Sequence, residues 1–294
     1  MKTNILITGA TGTTSQYAIK HLIDKGANVR AMVRTIDTRS KQLEDMDVEI
    51  IQADFLDINS LRPALKGVDR AYFCYPFDDH LPKAAGFFAK VAQEENLEMV
   101  VSMSHMGATL HSPSVSAQNH AIAEHILDWA NIGAVHINPS IFTWSYLMFA
   151  APTIADHNKF YFPETNTRFS IVHPEDVGEV VAGILMDENK EKHIGKKYSL
   201  TAATTHSNTD VAKEISAVIN EDVEYVPVTV DQWMESINTD PRINSLLAKH
   251  LSKFNEQVAD GRFNKTTSVV KDITGHAPRT FKQYVEEHIS HFKK

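Results

Sequence analysis

Thr8-Gly9-Ala10-Thr11-Gly12-Thr13-Thr14-Ser15 follows the apolar run Ile5-Leu6-Ile7 and opens a stretch, 14–25, in which apolar residues recur at helical spacing. This order of strand, glycine turn and helix decides the fold. At such a junction the unpaired amides of the first helical turn and the positive end of the helix dipole face the turn, which favours a phosphate there. Gly9 permits the tight turn and Gly12 lets the backbone approach a pyrophosphate. The third glycine of the usual dinucleotide pattern, which allows close packing of helix on strand, is Ser15 in this chain. A Walker A loop is excluded, because no lysine follows the second glycine.

The alternation continues outward from this turn. Short apolar runs at 4–8, 29–33, 48–52, 69–74, 99–103 and 134–138 read as strands. Between them, 14–25, 39–44, 58–65, 81–95 and 116–132 carry apolar residues at three- and four-residue spacing and read as crossover helices. Ile5-Leu6-Ile7 and Met99-Val100-Val101 are continuous hydrophobic runs, as strands covered on both faces require. The expected fold class is α/β: a doubly wound parallel Rossmann sheet with a smaller C-terminal α/β lobe. The domain expectation is 1–195 for the nucleotide-binding part and 196–294 for the lobe on the substrate side. Within the first, 140–168 is an irregular, aromatic-rich segment, and 169–186 returns to the sheet as strand 169–172 and helix 177–186 after Pro174-Glu175-Asp176. The lobe is expected to hold strands 198–201 and 224–228, a helix after Thr209-Asp210, and helices 231–237 and 278–292.

A chain of 294 residues at 43% hydrophobic and 22% charged is neither disordered nor fibrous. With 29 Lys and Arg against 37 Asp and Glu the net charge is −8, which repels a phosphate backbone, so nucleic acid is not an expected partner. The single cysteine, Cys74, makes neither an intramolecular disulfide nor a thiolate metal site, which points to a reducing, cytoplasmic setting. Met1-Lys2-Thr3-Asn4 leads into too short an apolar run for a signal peptide. No run of roughly 18 apolar residues suggests a membrane span.

A site for NAD would place Asp or Glu at the tip of the second strand to hold the ribose 2′-hydroxyl. This tip is Val33-Arg34-Thr35. A guanidinium there pairs with a 2′-phosphate and stacks on adenine, so NADP is expected in preference to NAD, with Arg39 and Lys41 as further cations. Asp54 follows the third strand, where it either accepts from the adenine amino group or serves its own turn.

These pieces together resemble the NmrA-like group of atypical short-chain dehydrogenase/reductases. The resemblance rests on Ile-Thr-Gly-Ala-Thr-Gly at 7–12, Val33-Arg34, Gln-Ala-Asp at 52–54, Leu-Lys-Gly-Val-Asp at 65–69, and Ile-Thr-Gly-His-Ala-Pro-Arg-Thr-Phe at 273–281, and it spans almost the whole chain. It implies NADP(H) contacts at Gly9, Thr11, Gly12, Thr13, Thr14, Arg34, Asp54, Phe55 and the turn Tyr75-Pro76-Phe77. It further implies that Ser104, His120 and the stretch Pro139 to Phe142 lie near the nicotinamide. The functions it implies range from NADPH-dependent reductases of quinones, azo dyes and similar acceptors to cofactor sensors that bind transcription regulators and catalyse nothing. Its partners would accordingly be a small-molecule acceptor, a second copy of the chain in a homodimer, or a regulatory protein.

Reductases of the wider superfamily carry Tyr-x-x-x-Lys on the helix after the fifth strand, the Tyr donating a proton and the Lys lowering its pKa. Here those positions fall on Ser116 and His120. Hydride delivered to a ketone leaves a strongly basic alkoxide that needs a positioned acid, whereas a reduced quinone is a delocalised, phenolate-like anion. A quinone reductase mainly has to hold two flat partners face to face and exclude water. Phe142, Trp144, Tyr146 and Phe149 follow the sixth strand and are read as acceptor-stacking or core residues, with the first three proposed for the acceptor. His120, and less directly His105 and Ser104, could hold the ribose or move a proton. The histidines do not form His-Glu-x-x-His, so no metal is expected, and Ser104 is not in Gly-x-Ser-x-Gly, so no hydrolase nucleophile is expected.

Overall fold

Continuous apolar runs broken by glycine turns build a parallel sheet in the computed structural model, which describes residues 2–46 and 48–293. The chain runs β1 (Asn4–Ile7), α1 (Thr13–Asp24), β2 (Asn28–Val33), α2 (Thr38–Glu44), β3 (Glu49–Gln52), α3 (Ile58–Leu65), β4 (Arg70–Phe73), α4 (Leu81–Glu94), β5 (Met99–Met103), α5 (Val115–Trp129) and β6 (Ala134–Pro139). It continues with β7 (Ile141–Phe142), α6 (Trp144–Phe149), α7 (Ala151–His157), β8 (Lys159–Pro163), β9 (Phe169–Val172), α8 (Pro174–Met186) and β10 (Lys197–Leu200). Then follow β11 (Thr205–His206), α9 (Asn208–Ile219), β12 (Glu224–Val228), α10 (Val230–Ile237), α11 (Ser245–Ala259), α12 (Val269–Thr274), α13 (Phe281–Glu287) and α14 (Ile289–Phe292).

Seven strands form one sheet in the order β10-β6-β5-β4-β1-β2-β3. β1 to β6 pair in parallel throughout. The order turns outward in both directions from the β1–β4 pair, and at such a switch point the loops beyond the carboxyl ends part to leave a crevice for ligands. The strands are buried because both faces are covered. On one face Leu6, Phe73 and Val100 meet Leu61 of α3, Phe88 of α4 and Leu127 of α5.

Contacts divide the chain into two compact units: Met1–Ser112, Ser116–Asn138 and Val177–Ser199 form one, and Pro113–Val115, Pro139–Asp176 and Leu200–Lys294 the other. This differs from the expected divide at 195–196. The stretch 169–172 does not return to the main sheet: β9 lies in a three-stranded sheet of order β11-β9-β7, antiparallel to β11 and parallel to β7. It is β10, expected in the lobe, that supplies the seventh strand. A short, mostly apolar run such as Phe169-Ser170-Ile171-Val172 marks a buried strand without saying which sheet buries it.

The aromatic segment 140–168 is ordered rather than irregular. It supplies β7, α6, α7 and β8, and β8 pairs in parallel with β12. The closing Pro-Arg-Thr-Phe acquires a structural reason. Arg279 donates to Asp176 in the first turn of α8, from its guanidinium at 2.5 Å and its amide at 2.8 Å. Thr280 caps α13 in a reciprocal pair with Gln283, and Phe281 is core. The expected helix 278–292 is two helices that break at His288. Among the described residues, no helix is long and apolar enough to cross a membrane.

Candidate functional site

The glycine turn has to be glycine at position 9. Its φ of +56° disfavours any side chain, and a Cβ there would stand 2.8 Å from the Cys74 carbonyl oxygen at the end of β4. The turn is therefore lined by backbone. Asp37, Ser207, Thr229, Asn244 and Thr280 cap α2, α9, α10, α11 and α13 with their side chains. At α1 the N-cap is Gly12, no side chain caps the first turn, and that turn contains no acid. Uncapped amides at the start of α1, with glycine at positions 9 and 12, are the donor set that a pyrophosphate requires, so these residues fit a dinucleotide. Thr11 and Thr13 are accessible, and Thr14 Oγ1 lies 3.4 Å from the buried Tyr72 hydroxyl.

Ser15, in the place of the third glycine, does not loosen the packing. It is fully buried, and its Oγ donates to the Thr8 carbonyl at 3.1 Å, pinning α1 to the end of β1. A different close approach, of helix on helix, is made to α1 by Gly178 of α8. A Cβ at Gly178 would meet Tyr17 Cβ at 2.5 Å, Ala18 N at 2.7 Å and Thr14 O at 2.9 Å.

Arg34 extends from the tip of β2 into solvent, and its carbonyl accepts from Gln52 Nε2 at 3.1 Å. Arg39 is engaged with Asp37 at 2.7 Å, whereas Arg34 and Lys41 are exposed. Asp54 spends one oxygen on the Leu56 amide at 2.8 Å, which makes it a turn carboxylate in this structure. Phe55 is a core residue: it packs edge-on against Phe73 at 5.4 Å and Tyr75 at 5.1 Å, so it supports Tyr75 rather than meeting a ligand. Burial pushes the Tyr75 phenol up, with Asp78 and Asp54 adding to this and Arg34 opposing it, so these groups share one neighbourhood. Pro76 and Phe77 are exposed beside it. Burial also pushes the Cys74 thiol up, which keeps it protonated at neutral pH.

At the end of β5, Ser104 is buried and its amide donates to the Ile137 carbonyl at 2.8 Å. His105 follows, and its ring meets His120 of α5 edge-on with centroids 4.9 Å apart. Ser116, at the tyrosine position, is buried. Four residues beyond His120 is Glu124, only 3% exposed, which accepts from Lys197 Nζ of β10 at 2.6 Å and from Asn138 Nδ2 at 2.9 Å. Burial raises the Glu124 carboxyl, but Lys197, Ser104, Asn138 and His136 together outweigh it and leave the pKa below the ordinary value. The sequence singled out the two histidines separately. It carried no signal for Lys197, 73 residues away from its carboxylate.

In the second unit, Pro139 is buried at the end of β6, while Phe142 and Trp144 stack with centroids 6.0 Å apart and planes at 24°. Trp144 remains 41% exposed. Tyr146 is not an acceptor residue: it is 2% exposed, packs against Phe162 and Phe281 at 5.2 Å, and donates its hydroxyl proton to Asn208 Oδ1 at 2.9 Å. Phe149 packs edge-on against Trp233. Phe142 and Trp144 thus form a partly exposed stack, Tyr146 belongs to the core, and the partly buried Phe149 packs on its edge. Among the described residues no group of three or more His, Cys, Asp or Glu side chains could hold a metal ion.

The model of the NmrA-like family matches residues 1–285. The chain belongs to the NmrA-like family. Similar proteins include an NAD(P)H azoreductase of Xenophilus azovorans, 22% identical over 288 residues, covering 98% of this chain and 99% of that protein. The NADPH-dependent quinone oxidoreductase QOR2 of Escherichia coli, solved with NADPH, is similar with a TM-score of 0.85 at 21% identity, covering 97% of this chain and 99% of that one. NmrA, a negative transcriptional regulator solved with NAD, is similar with a TM-score of 0.81 at 16% identity, covering 97% and 95% of the two chains. At these identities the solved structures establish that this NmrA-like chain shares their fold.

Proposed function

We propose that this protein is an NADPH-dependent reductase of quinone-like or other conjugated small-molecule acceptors that works without the Tyr-x-x-x-Lys dyad. The observation that carries the reading is the end of β5 and the face of α5, where a buried Ser116 stands in the tyrosine position and His105 and His120 form the polar pair beside it. That set lacks the phenol an alkoxide demands but includes an imidazole suited to a weakly basic, delocalised anion. The family relatives named as azoreductase and quinone oxidoreductase support the same acceptor class.

The bound nicotinamide supplies the hydride. The amides of the glycine turn hold the pyrophosphate, with Gly9 and Gly12 keeping side chains away from it. Arg34 pairs with the 2′-phosphate and so selects NADPH over NADH. Phe142 and Trp144 offer a flat apolar stack against which a planar acceptor can be oriented, so that catalysis is mostly by positioning.

Oxidation of NADPH is measured with a panel containing a quinone, an azo dye and a simple ketone. Turnover of the first two and not the third is expected. Binding of NADPH with no turnover of any acceptor would replace this reading with that of a non-catalytic, cofactor-binding regulator; the similar NmrA is a negative transcriptional regulator.

A further inference from the structure

The parallel ladder of β5 on β6 runs from Val100 opposite Ala134 to Met103 opposite Ile137, and Ser104 continues it by donating to the Ile137 carbonyl at 2.8 Å. Beyond Ser104 the chain turns. The Ala108 amide donates to the His105 carbonyl at 2.9 Å, and the Gly107 amide to His105 Nδ1 at 3.0 Å. The side chain of Asn138, the residue after Ile137 in β6, reaches this turn: its Nδ2 donates to the same His105 carbonyl at 3.2 Å. A side chain thus carries the hold of β6 on the β5 chain one residue past Ser104.

The other hydrogen of that amide goes to Glu124 Oε1 at 2.9 Å, and Glu124 Oε2 accepts from Lys197 Nζ at 2.6 Å. One amide nitrogen therefore joins the turn after β5 to α5, and Lys197 of β10 holds the carboxylate from its other oxygen. Turning the amide over would set Oδ1 against a carbonyl oxygen and a carboxylate oxygen, so a single orientation is allowed. In that orientation Oδ1 is buried with no hydrogen-bond partner among the described residues. A buried carbonyl oxygen without a donor works against stability. What asparagine supplies at this position is the pair of Nδ2 bonds, and both lead to elements that carry the histidines. His120 lies four residues before Glu124 on the same face of α5, and its ring meets that of His105 with centroids 4.9 Å apart.

We propose that Asn138 is a positioning residue: by tying the His105 carbonyl to Glu124 it sets the spacing between the turn after β5 and the face of α5, and so the geometry that the His105–His120 pair presents to an acceptor. Its effect on turnover rests on the reductase reading above, whereas its hold on the turn rests on the bonds alone.

The test combines amide hydrogen exchange, read by NMR on the full-length protein labelled with nitrogen-15, with steady-state kinetics on NADPH and a quinone. Asn138→Leu is close in size and removes both bonds. Exchange of the Ala108 amide should quicken at least about tenfold relative to the amides of β1. The kcat should fall at least about tenfold, while the Kd of NADPH and the acceptor KM stay within about twofold. Unchanged exchange at Ala108 overturns the hold on the turn. Faster exchange with an unchanged kcat overturns the positioning role, and so does a rise in Kd or KM as large as the fall in kcat. Should Asn138→Leu fail to fold, Lys197→Met and Lys197→Arg carry the same test from a half-exposed side chain. The arginine keeps a cation on Glu124 and should preserve the pH profile of kcat. The methionine lets the buried carboxyl take a proton at higher pH, weakening the acceptor for Asn138, and should move the acid limb of kcat upward in pH and quicken Ala108 exchange there. Superposable profiles and exchange rates for both variants and the wild type overturn the proposal. A wild-type protein that turns over no acceptor defeats the reductase reading and with it the effect on turnover, and Ala108 exchange in the same variants still decides the hold on the turn.

Discussion

Replacing Gly178 with alanine tests where the close packing of α1 comes from. The added methyl would stand 2.5 Å from Tyr17 Cβ, 2.7 Å from Ala18 N and 2.9 Å from Thr14 O. Carbon contacts are optimal at about 3.5–4.0 Å, so the methyl is roughly 1 Å too close. Two of those three atoms are backbone of α1 and cannot rotate away, so α1 or α8 must move. Overpacking of this kind costs about 1–3 kcal/mol. The helix preference of alanine over glycine returns about 1 kcal/mol at most. A net loss near 1 kcal/mol corresponds to a fall in Tm of roughly 2–4 °C for a protein of this size. Because α1 carries the glycine turn at its N-terminus, NADPH affinity should fall with it. Thermal melts and fluorescence titration of NADPH measure both. The companion variant Ser15→Gly restores the usual third glycine but loses the bond from Oγ to the Thr8 carbonyl, and it should lose about 1 kcal/mol of stability. If Gly178→Ala melts like the wild type, the close contact assigned to Gly178 is wrong; if Ser15→Gly is as stable as the wild type, the bond from Ser15 to Thr8 does not hold α1.

Arg34→Ala should weaken NADPH far more than NADH, by on the order of 1–3 kcal/mol for a lost charge-assisted pair, and equal losses in parallel titrations would refute its assignment. Lys197→Ala should destabilise the protein at neutral pH by about 1–2 kcal/mol, below the range for fully buried pairs because Lys197 is half exposed. Glu124 has a folded pKa below its ordinary 4.5, so the wild-type advantage is present above that value and disappears as pH falls through the lowered folded value; denaturant melts of both proteins along the acid range check the sign. Phe142→Ala and Trp144→Ala should each raise the acceptor KM while NADPH affinity holds, and an unchanged KM would mean that the stack serves only packing.

The sheet was legible because its strands are continuous apolar runs separated by glycine or polar turns. β1 to β6 lie within a residue or two of the expected spans. β10 was misplaced because Lys197-Tyr198-Ser199-Leu200 is an edge strand with a polar sequence that says nothing about its neighbour. α11 escaped notice because its buried residues are few: Gln257 and Val258 are the ones fully covered, too few to set a period. The aromatic segment was read correctly as unusual, but composition alone does not tell an outward stack from a core, and Tyr146 went one way while Phe142 and Trp144 went the other.

The candidate site divides in the same manner. Gly9, Gly12 and Arg34 were found because a turn, a helix start and a strand tip are local features. Gly178 and Lys197 were not, because their partners are set by tertiary packing far along the chain. Phe55 adjoins Asp54 in the turn after β3, and its neighbour in sequence does not reveal that its ring packs into the core against Phe73.

The central claim is tested most directly by a single-turnover experiment in which the protein, saturated with NADPH, is mixed rapidly with a quinone in one run and a simple ketone in another. The account predicts fast oxidation of the bound NADPH by the quinone and none by the ketone. Equal oxidation by both, or none by either, would contradict it.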